Sequence, residues 1–330
     1  MALKLSVLDL SPVSTGMTAA QALQNTLDLA RRTDKLGYHR YWLAEHHNMP
    51  GIAGSSPALL IGQVARETSH LRVGSGGVML PNHAPLQVAE QFQTLEALFP
   101  GRIDLGIGRA PGSDPRTSLA LRRAGQTEDL PAQLAELFAF AGGQFPMGHP
   151  YQSVSAVPMD TTLPPVWLLG SSDYSAQVAA ALGLGFVFAH HINPHGAEEA
   201  MSLYRNNFAP SEHLPQPAAI ITASVICADT DAEADTLATS FDLAWLRLYS
   251  GRPSKFPSVE EAQSYPYTPA ERAQVQATRA RLITGSPQTV RAKLCALASR
   301  ADTDEVMAMT MVHDHAARLR SYELLAEAFK

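Results

Sequence analysis

Cysteine, net charge and long apolar runs are all scarce in this chain of 330 residues. Its two cysteines, Cys227 and Cys295, form no Cys-x-x-Cys pair, which excludes a disulfide framework and a zinc knuckle. Lys and Arg number 25 against 31 Asp and Glu, so the sequence lacks the basic footprint of a nucleic-acid or anionic-membrane binder. No stretch reaches the roughly 18 apolar residues of a membrane span, and the N-terminus has no signal sequence. We therefore expect a cytoplasmic protein without nucleic-acid or membrane partners.

Short β-rich runs alternate with longer segments of helical period, which is typical of βα units around a parallel sheet. The eight predicted strands cover residues 5–10, 41–44, 71–80, 102–108, 166–169, 186–189, 219–227 and 305–310. Two stretches rich in Gly and Pro, 142–165 and 250–285, interrupt the alternation. We predict a single domain over residues 1–330, an α/β fold of the (β/α)8 TIM-barrel type with insertions after strands four and seven.

In such barrels the active site forms at the C-terminal ends of the strands. Polar residues and glycines occupy those positions here: Asp9 and Ser11, Glu45, His46 and His47, Gly76 and Gly77, Gly108 and Arg109, Gly170, Ser171 and Ser172, and His190 and His191. We expect these groups to converge on one rim of the barrel.

The run Glu45-His46-His47 carries the residue types of both metal binding and proton transfer. Carboxylate and imidazole suit Zn or Fe, but successive strand residues point opposite ways, so only one of the two histidines can face the barrel axis. A histidine near its reference pKa, with Glu45 as its orienting partner, is the acid/base alternative. A purely structural role stays open as well.

Glycines and a serine-rich turn on the same rim fit a flat ligand that carries a phosphate. Missing Cβ atoms at Gly76, Gly77 and Gly108 let a ring approach the backbone. Residues 170–175 join strand five to a helix, where free N–H groups and hydroxyls form an anion seat, although an ordinary serine N-cap explains them equally well. With Arg109 as a further anion contact, these features together describe FMN, and no separate NAD site is recognisable.

Several blocks of the sequence resemble the bacterial-luciferase-like flavin-dependent monooxygenases over essentially the whole chain. The matching blocks are LSVLDLSPVSTG, YWLAEHHNMPG, LRVGSGGVMLPNHAPLQVAEQFQTLEALFPGRIDLGIGRAPG, LLGSSDYSAQVAAALGLG and TGSPQTVRAKL. The resemblance implies an eight-stranded barrel that binds FMN at the C-terminal rim and takes reduced flavin from a separate reductase. It also implies activation of O2 as a flavin C4a-peroxide, an organic substrate and a homodimer.

The resemblance also implies roles for individual residues. His46 matches the catalytic histidine and Glu45 its flavin-side neighbour, while Gly76 and Gly77 match a pair that often has a non-prolyl cis peptide. Residues 250–285 correspond to a mobile lid. The residues expected to bind the cofactor are Ser11, Gly76, Gly77, Gly108, Arg109, Gly170, Ser171, Ser172 and Ser175.

One position departs from the luciferases. Gly108 stands where they have a reactive cysteine, so light emission is not expected and the glycine predicts more room beside the flavin. His190, His191 and His195 are interpreted as solvated loop residues in preference to pocket residues. Alternatives to the monooxygenase are a deazaflavin (F420)-dependent hydride-transfer enzyme, a metal-dependent hydrolase using His46, His47 and His190 or His191, and a non-catalytic flavin-binding relative.

Overall fold

The computed structural model describes residues 3–122, 129–142 and 145–330. Its strands are β1 Lys4–Asp9, β2 Arg40–Leu43, β3 Arg72–Ser75, β4 Val78–Met79, β5 Ile103–Gly108, β6 Val166–Gly170, β7 Gly185–Ala189, β8 Ala219–Cys227, β9 Leu282–Gly285 and β10 Glu305–Met309. Its helices are α1 Ala19–Leu36, α2 Pro57–Glu67, α3 Pro85–Leu98, α4 Pro115–Arg122, α5 Leu130–Gly142, α6 Asp173–Leu182, α7 Ala197–Asn206, α8 Asp231–Tyr249, α9 Val259–Ser264, α10 Pro269–Arg279, α11 Pro287–Arg300 and α12 His315–Ala328, with a 3-10 turn at Leu80–Asn82.

The strands form a closed parallel barrel. The ring runs β1, β2, β3, β5, β6, β7, β8, β10 and back to β1, with β4 continuing β3 along the same edge of β5. Pairing of β10 with β8 closes the ring, in the register Val306 opposite Ile221. The predicted (β/α)8 TIM barrel is therefore confirmed, and β9 is an additional strand that pairs with the end of β8 outside the ring.

Alternation along each strand separates two apolar layers. On β2, Trp42 faces the barrel interior, where it packs in one cluster with Leu8, Trp167 and Met307. Its neighbour Tyr41 packs in the larger cluster between the sheet and the helices. This parity decides which way the residues that follow a strand will point, so it positions the site.

The N-terminal end of the barrel is closed by charge. Arg40 projects from β2 and donates to Asp104 at 2.6 Å and to Glu305 at 2.9 Å, and Arg72 donates to Asp104 at 2.6 Å. Asp104 is fully buried. The opposite, C-terminal rim is the end left for a ligand.

Three details add to or differ from the sequence-based expectation. Predicted strand three is divided into β3 and β4 at the cis peptide bond between Gly76 and Gly77. Helix α4 lies in the predicted insertion after strand four, where the Asp114 carboxylate accepts hydrogen bonds from the N–H groups of Arg116 and Thr117 and so caps the helix. The segment 250–285 contains α9, α10 and β9, and its proposed mobility stays a prediction.

Membrane insertion by a helix finds no support in the part of the chain that the structure describes. None of the helices there is both long and apolar enough to cross a bilayer.

Candidate active site

His46 lies at the C-terminal rim and faces the barrel axis. Trp42 of β2 and Ala44, two residues further on, both point into the barrel, and His46 is the next residue in this alternation. The backbone N–H of His46 donates to the carbonyl of Gly54 at 2.9 Å. Its Nδ1 atom is buried and has no hydrogen-bond partner among the described residues. Of the two histidines in the predicted motif, His46 is the one that the fold turns toward the site.

The electrostatic surroundings of His46 keep its imidazole neutral. Burial lowers its pKa to about 4, since the favourable charge of Glu45 only partly offsets burial and His47 adds a further lowering. At neutral pH the ring is therefore unprotonated. A neutral imidazole can accept a proton from a bound molecule.

Glu45 points the opposite way, to the outer side of the barrel. Its fully buried carboxylate accepts hydrogen bonds from His47 Nε2 at 2.8 Å, His83 Nε2 at 3.0 Å, the Met79 N–H at 2.9 Å and Asn82 Nδ2 at 3.1 Å. Burial alone would raise the pKa of Glu45, but hydrogen bonds and charge from His83, with the other donors, lower it overall. These contacts tie the end of β2 to the segment after β4. The predicted catalytic role of Glu45 stays a prediction.

The run Glu45-His46-His47 does not converge on a point where an ion could sit, because His46 and Glu45 diverge. Within residues 3–122, 129–142 and 145–330, no group of three or more His, Cys, Asp and Glu side chains has an arrangement that could hold a metal ion. The geometry thus gives the metal-dependent hydrolase no support.

The glycines of the rim fit closely against their neighbours. A Cβ on Gly76 would lie 2.5 Å from Leu8 Cδ1, and one on Gly77 would lie 2.8 Å from the carbonyl oxygen of Gly106. The cis bond between them agrees with what the resemblance implied, while their role against a flavin ring stays a prediction.

The expectation of more room at Gly108 is wrong. A Cβ there would lie 2.7 Å from Met79 Sδ, so the thioether of Met79 already fills the space that the missing side chain leaves. Met79 is opposite Gly108 in the pairing of β4 with β5. Sequence inspection missed this residue because only that non-local pairing brings it to Gly108.

Arg109 and the segment after β6 come together as predicted, on the N-terminus of α6. The guanidinium of Arg109 lies 4.4 Å from the ring centroid of Tyr174, in the first turn of α6. Ser172 is the N-cap residue but its side chain makes no capping hydrogen bond. Exposed cationic and hydroxyl groups therefore stand beside free helical N–H groups, which is an arrangement that binds anions.

The four remaining predicted cofactor contacts, at Ser11, Gly170, Ser171 and Ser175, are partly or wholly occupied by contacts within the protein. Ser175 is buried, and its Oγ would be 2.4 Å from a Cβ on Gly170, so these two residues pack on each other. Ser11 is fully buried, and its Oγ accepts a hydrogen bond from Thr26 of α1 at 2.8 Å. Ser171 presents its carbonyl to Asn193 Nδ2 at 2.9 Å. Their cofactor roles stay predictions.

The histidines after β7 behave differently from one another. His195 is exposed, as interpreted from the sequence, but His190 is buried and that interpretation is wrong for it. His191 is half-buried, and its Nδ1 lies 2.5 Å from Thr222 Oγ1. Strand β7 ends at Ala189 and a turn follows, so strand alternation in the sequence does not distinguish His190 from His191.

The fold and the rim together define a TIM-barrel protein in which Arg109 lies beside the N-terminus of α6 and a neutral histidine points inward. The sequence pattern of the family described as luciferase-like monooxygenase matches residues 3–304. The chain belongs to the luciferase-like monooxygenase family.

Individual relatives extend over nearly the whole chain. A luciferase-like monooxygenase of Escherichia coli strain K12 is 46% identical over 97% of this chain and 95% of its own. The N-acetyl-S-alkylcysteine monooxygenase of Bacillus subtilis is 36% identical over 99% of this chain and 98% of its own. The solved structure of apo-MsnO8 is 41% identical and superposes with a TM-score of 0.90, covering 99% of this chain and 98% of that one. Each of these three proteins matches this chain over at least 97% of its length.

Proposed function

We propose that the protein is an FMN-dependent monooxygenase that uses reduced FMN and O2 to oxygenate a small organic substrate. The observation that carries the proposal is the meeting of Arg109, Tyr174 and the N-terminus of α6 on the same rim as His46. That rim offers a phosphate seat and a proton acceptor within one site. Family membership supports the same chemistry.

The residues present fit FMN at both of its ends. The Arg109 guanidinium and the first N–H groups of α6 suit the phosphate monoester, and Ser172 adds a hydroxyl. The cis peptide between Gly76 and Gly77 supplies backbone for the ring beside Met79 and Gly108, and glycine is needed there because a Cβ would clash with Leu8 or Gly106.

When bound, reduced FMN supplies two electrons to O2, so that one oxygen atom enters the substrate and the other leaves as water. His46 then handles a proton at the rim. Because its Nδ1 is buried, Nε2 is the atom that can accept a proton from the bound molecules.

The segment 250–285 is proposed to exclude water from this site as a lid. Phe256 is buried among the inner side chains of the barrel. Its N–H donates to the carbonyl of Val13 at 2.8 Å and its carbonyl accepts from the N–H of Thr15 at 2.9 Å, which attaches the segment to the loop after β1. Such a cover would keep water away from reactive intermediates of the reaction.

The substrate class proposed first is the thioether. The relative named for N-acetyl-S-alkylcysteine matches this chain end to end, so N-acetyl-S-alkylcysteines of increasing alkyl size form the first panel. A transient flavin reductase, a homodimeric assembly and a cytoplasmic location complete the proposal.

The experiment mixes the protein with anaerobically reduced FMN, admits O2 and follows the absorbance of the flavin. We expect a C4a-oxygenated flavin that outlives the reaction of free reduced FMN, and incorporation of one atom of 18O2 into a substrate of the panel. Reoxidation at the rate of free flavin, together with tight binding of deazaflavin F420, would overturn the proposal in favour of hydride transfer. FMN binding without either reactivity would instead identify a flavin-binding relative.

A further inference from the structure

A second imidazole lies across the barrel mouth from His46. Strands β2 and β7 stand opposite each other in the ring, since β3, β5 and β6 separate them on one side and β1, β10 and β8 on the other. His46 follows β2 and His191 follows β7. Residues that point inward from these two strands therefore face each other.

The direction of His191 follows from its contact with β8. Strand β7 ends at Ala189 and the chain then turns, with the N–H of Ile192 donating to the carbonyl of Ala189 at 3.0 Å. Nδ1 of His191 lies 2.5 Å from the hydroxyl oxygen of Thr222. Thr222 points inward, because its neighbours on β8, Ile221 and Ala223, pack in the outer cluster.

Thr222 holds the ring of His191 in place. Its hydroxyl oxygen lies 2.5 Å from Nδ1 of His191 and 3.3 Å from the carbonyl of Phe188. When the hydroxyl proton is directed to Phe188, the oxygen accepts from Nδ1 and Nε2 of His191 is left as a hydrogen-bond acceptor. A neighbouring group can hold a histidine in one tautomer in this way.

We infer that His191 is a second imidazole of the active site, facing His46, and that its Nε2 accepts a hydrogen bond from an N–H or O–H group of the substrate. This inference rests on the proposed function for the identity of the substrate. It does not need that function for the geometry of the two histidines. The amide N–H of an N-acetylcysteine derivative is a group of the required kind.

The charges around His191 support the facing arrangement. Burial first, then His46 and then His190, lower the pKa of His191 to about 3. His46 acts from β2 and His190 from the same turn as His191, and these are the two titratable groups that act on it within the described residues. The site thus holds two neutral imidazoles at neutral pH.

The first test measures the protonation of His191 directly, from the ring 15N shifts of histidine-labelled protein between pH 2.5 and 7, a window that includes the lowered pKa values of His191 and His46. We expect His46→Gln to raise the pKa of His191, since a neutral amide no longer repels its charge. His47→Gln is the matched control, because His47 bonds to Glu45 on the outer side, and it leaves His191 unchanged. An equal effect of the two variants, or none with His46→Gln, overturns the facing geometry whether or not the protein is a monooxygenase.

The second test uses N-acetyl-S-methylcysteine as the probe. His191→Asn keeps a polar atom for Thr222 but loses the position of Nε2, whereas His191→Gln keeps a polar atom near Nε2. We expect KM to rise roughly tenfold in His191→Asn with kcat little changed, and to be partly restored in His191→Gln. We expect Thr222→Val to raise KM as His191→Asn does, because the hydroxyl that holds His191 is lost. Thr222→Ser keeps that hydroxyl, so its KM stays close to that of the parent protein. An unchanged KM in His191→Asn overturns the proposed contact with the substrate. If the parent protein does not turn over the probe, only the thioether proposal is contradicted, because the 15N measurement still decides the geometry of the two histidines.

Discussion

The two ends of the barrel treat polar groups in opposite ways. At the N-terminal end the charges of Arg40, Asp104 and Glu305 are buried and joined by hydrogen bonds of 2.6 to 2.9 Å. At the C-terminal rim neither the imidazole of His46 nor the guanidinium of Arg109 is paired with a carboxylate among the described residues, and Arg109 rests on an aromatic ring. Groups satisfied within the protein stabilise the fold, and groups left without partners are available to a ligand. The same strands thus serve stability at one end and binding at the other.

Removing a charge at the closed end has the largest expected effect. Arg40→Met leaves the buried carboxylates of Asp104 and Glu305 short of a donor, and breaking a buried pair from one side costs about 3–5 kcal/mol. Urea unfolding at pH 7.5 measures the loss.

The control for this prediction is a solvent-exposed ion pair at the same end of the barrel, where β1 and β10 begin. Lys4 and Asp304 pair at 3.0 Å with side chains 50% and 44% exposed, so Lys4→Met costs less than about 1 kcal/mol. If Arg40→Met and Lys4→Met lose similar stability, the closed end is not the stabilising end.

The periodic parts of this fold follow from local sequence. Helix α1 begins at Thr18, which forms a capping box with Gln21, and ends at Gly37 with a φ of 83°. The order of strands and the convergence of His46 and Arg109 on one rim follow from the βα rhythm.

The remaining features depend on contacts between distant segments. The outward direction of Glu45 and its donors require the fold of the segment after β4, and Met79 reaches Gly108 only through the pairing of β4 with β5. The opposite directions of His190 and His191 depend on where regular alternation ends, which helical and strand propensities do not define.

Replacing the inward histidine of the rim has the second largest effect, on activity rather than stability. His46→Gln is expected to lower turnover about a hundredfold or more, because a general base is lost. Its unfolding free energy at pH 7.5 stays within about 1 kcal/mol of the parent protein, since Nδ1 makes no hydrogen bond in the fold. Steady-state rates with saturating reduced FMN measure the effect on turnover, and urea unfolding measures the effect on stability. Unchanged turnover with flavin bound contradicts the assignment of His46.

Arg109 is expected to contribute to cofactor affinity alone. Arg109→Gln removes a charge-assisted contact to phosphate and raises the Kd for FMN about ten- to a hundredfold. Stability is unaffected, because the side chain is exposed. Arg116→Gln, an exposed arginine nearby, is the matched control. Riboflavin, which has no phosphate, tests the specificity of this effect: its Kd is expected not to change in Arg109→Gln. An equal loss of affinity for FMN and riboflavin would argue against a phosphate site at Arg109.

The smallest effect concerns the pH dependence that the rim imposes on the fold. Burial lowers the pKa of His46 from 6.5 to about 4, so below pH 6.5 the unfolded chain binds a proton that the folded protein does not. The stability linked to His46 is therefore complete above pH 6.5 and is lost as the pH falls from 6.5 to about 4. His46→Gln does not have this loss. Its free energy of unfolding, relative to that of the parent protein, therefore rises by about 1 kcal/mol between pH 7.5 and pH 5.5. His213→Gln, at an exposed position, gains nothing. Urea unfolding at both pH values tests the difference, and parallel pH profiles for His46→Gln and the parent protein would show that the rim histidine is as well solvated in the folded protein as in the unfolded chain.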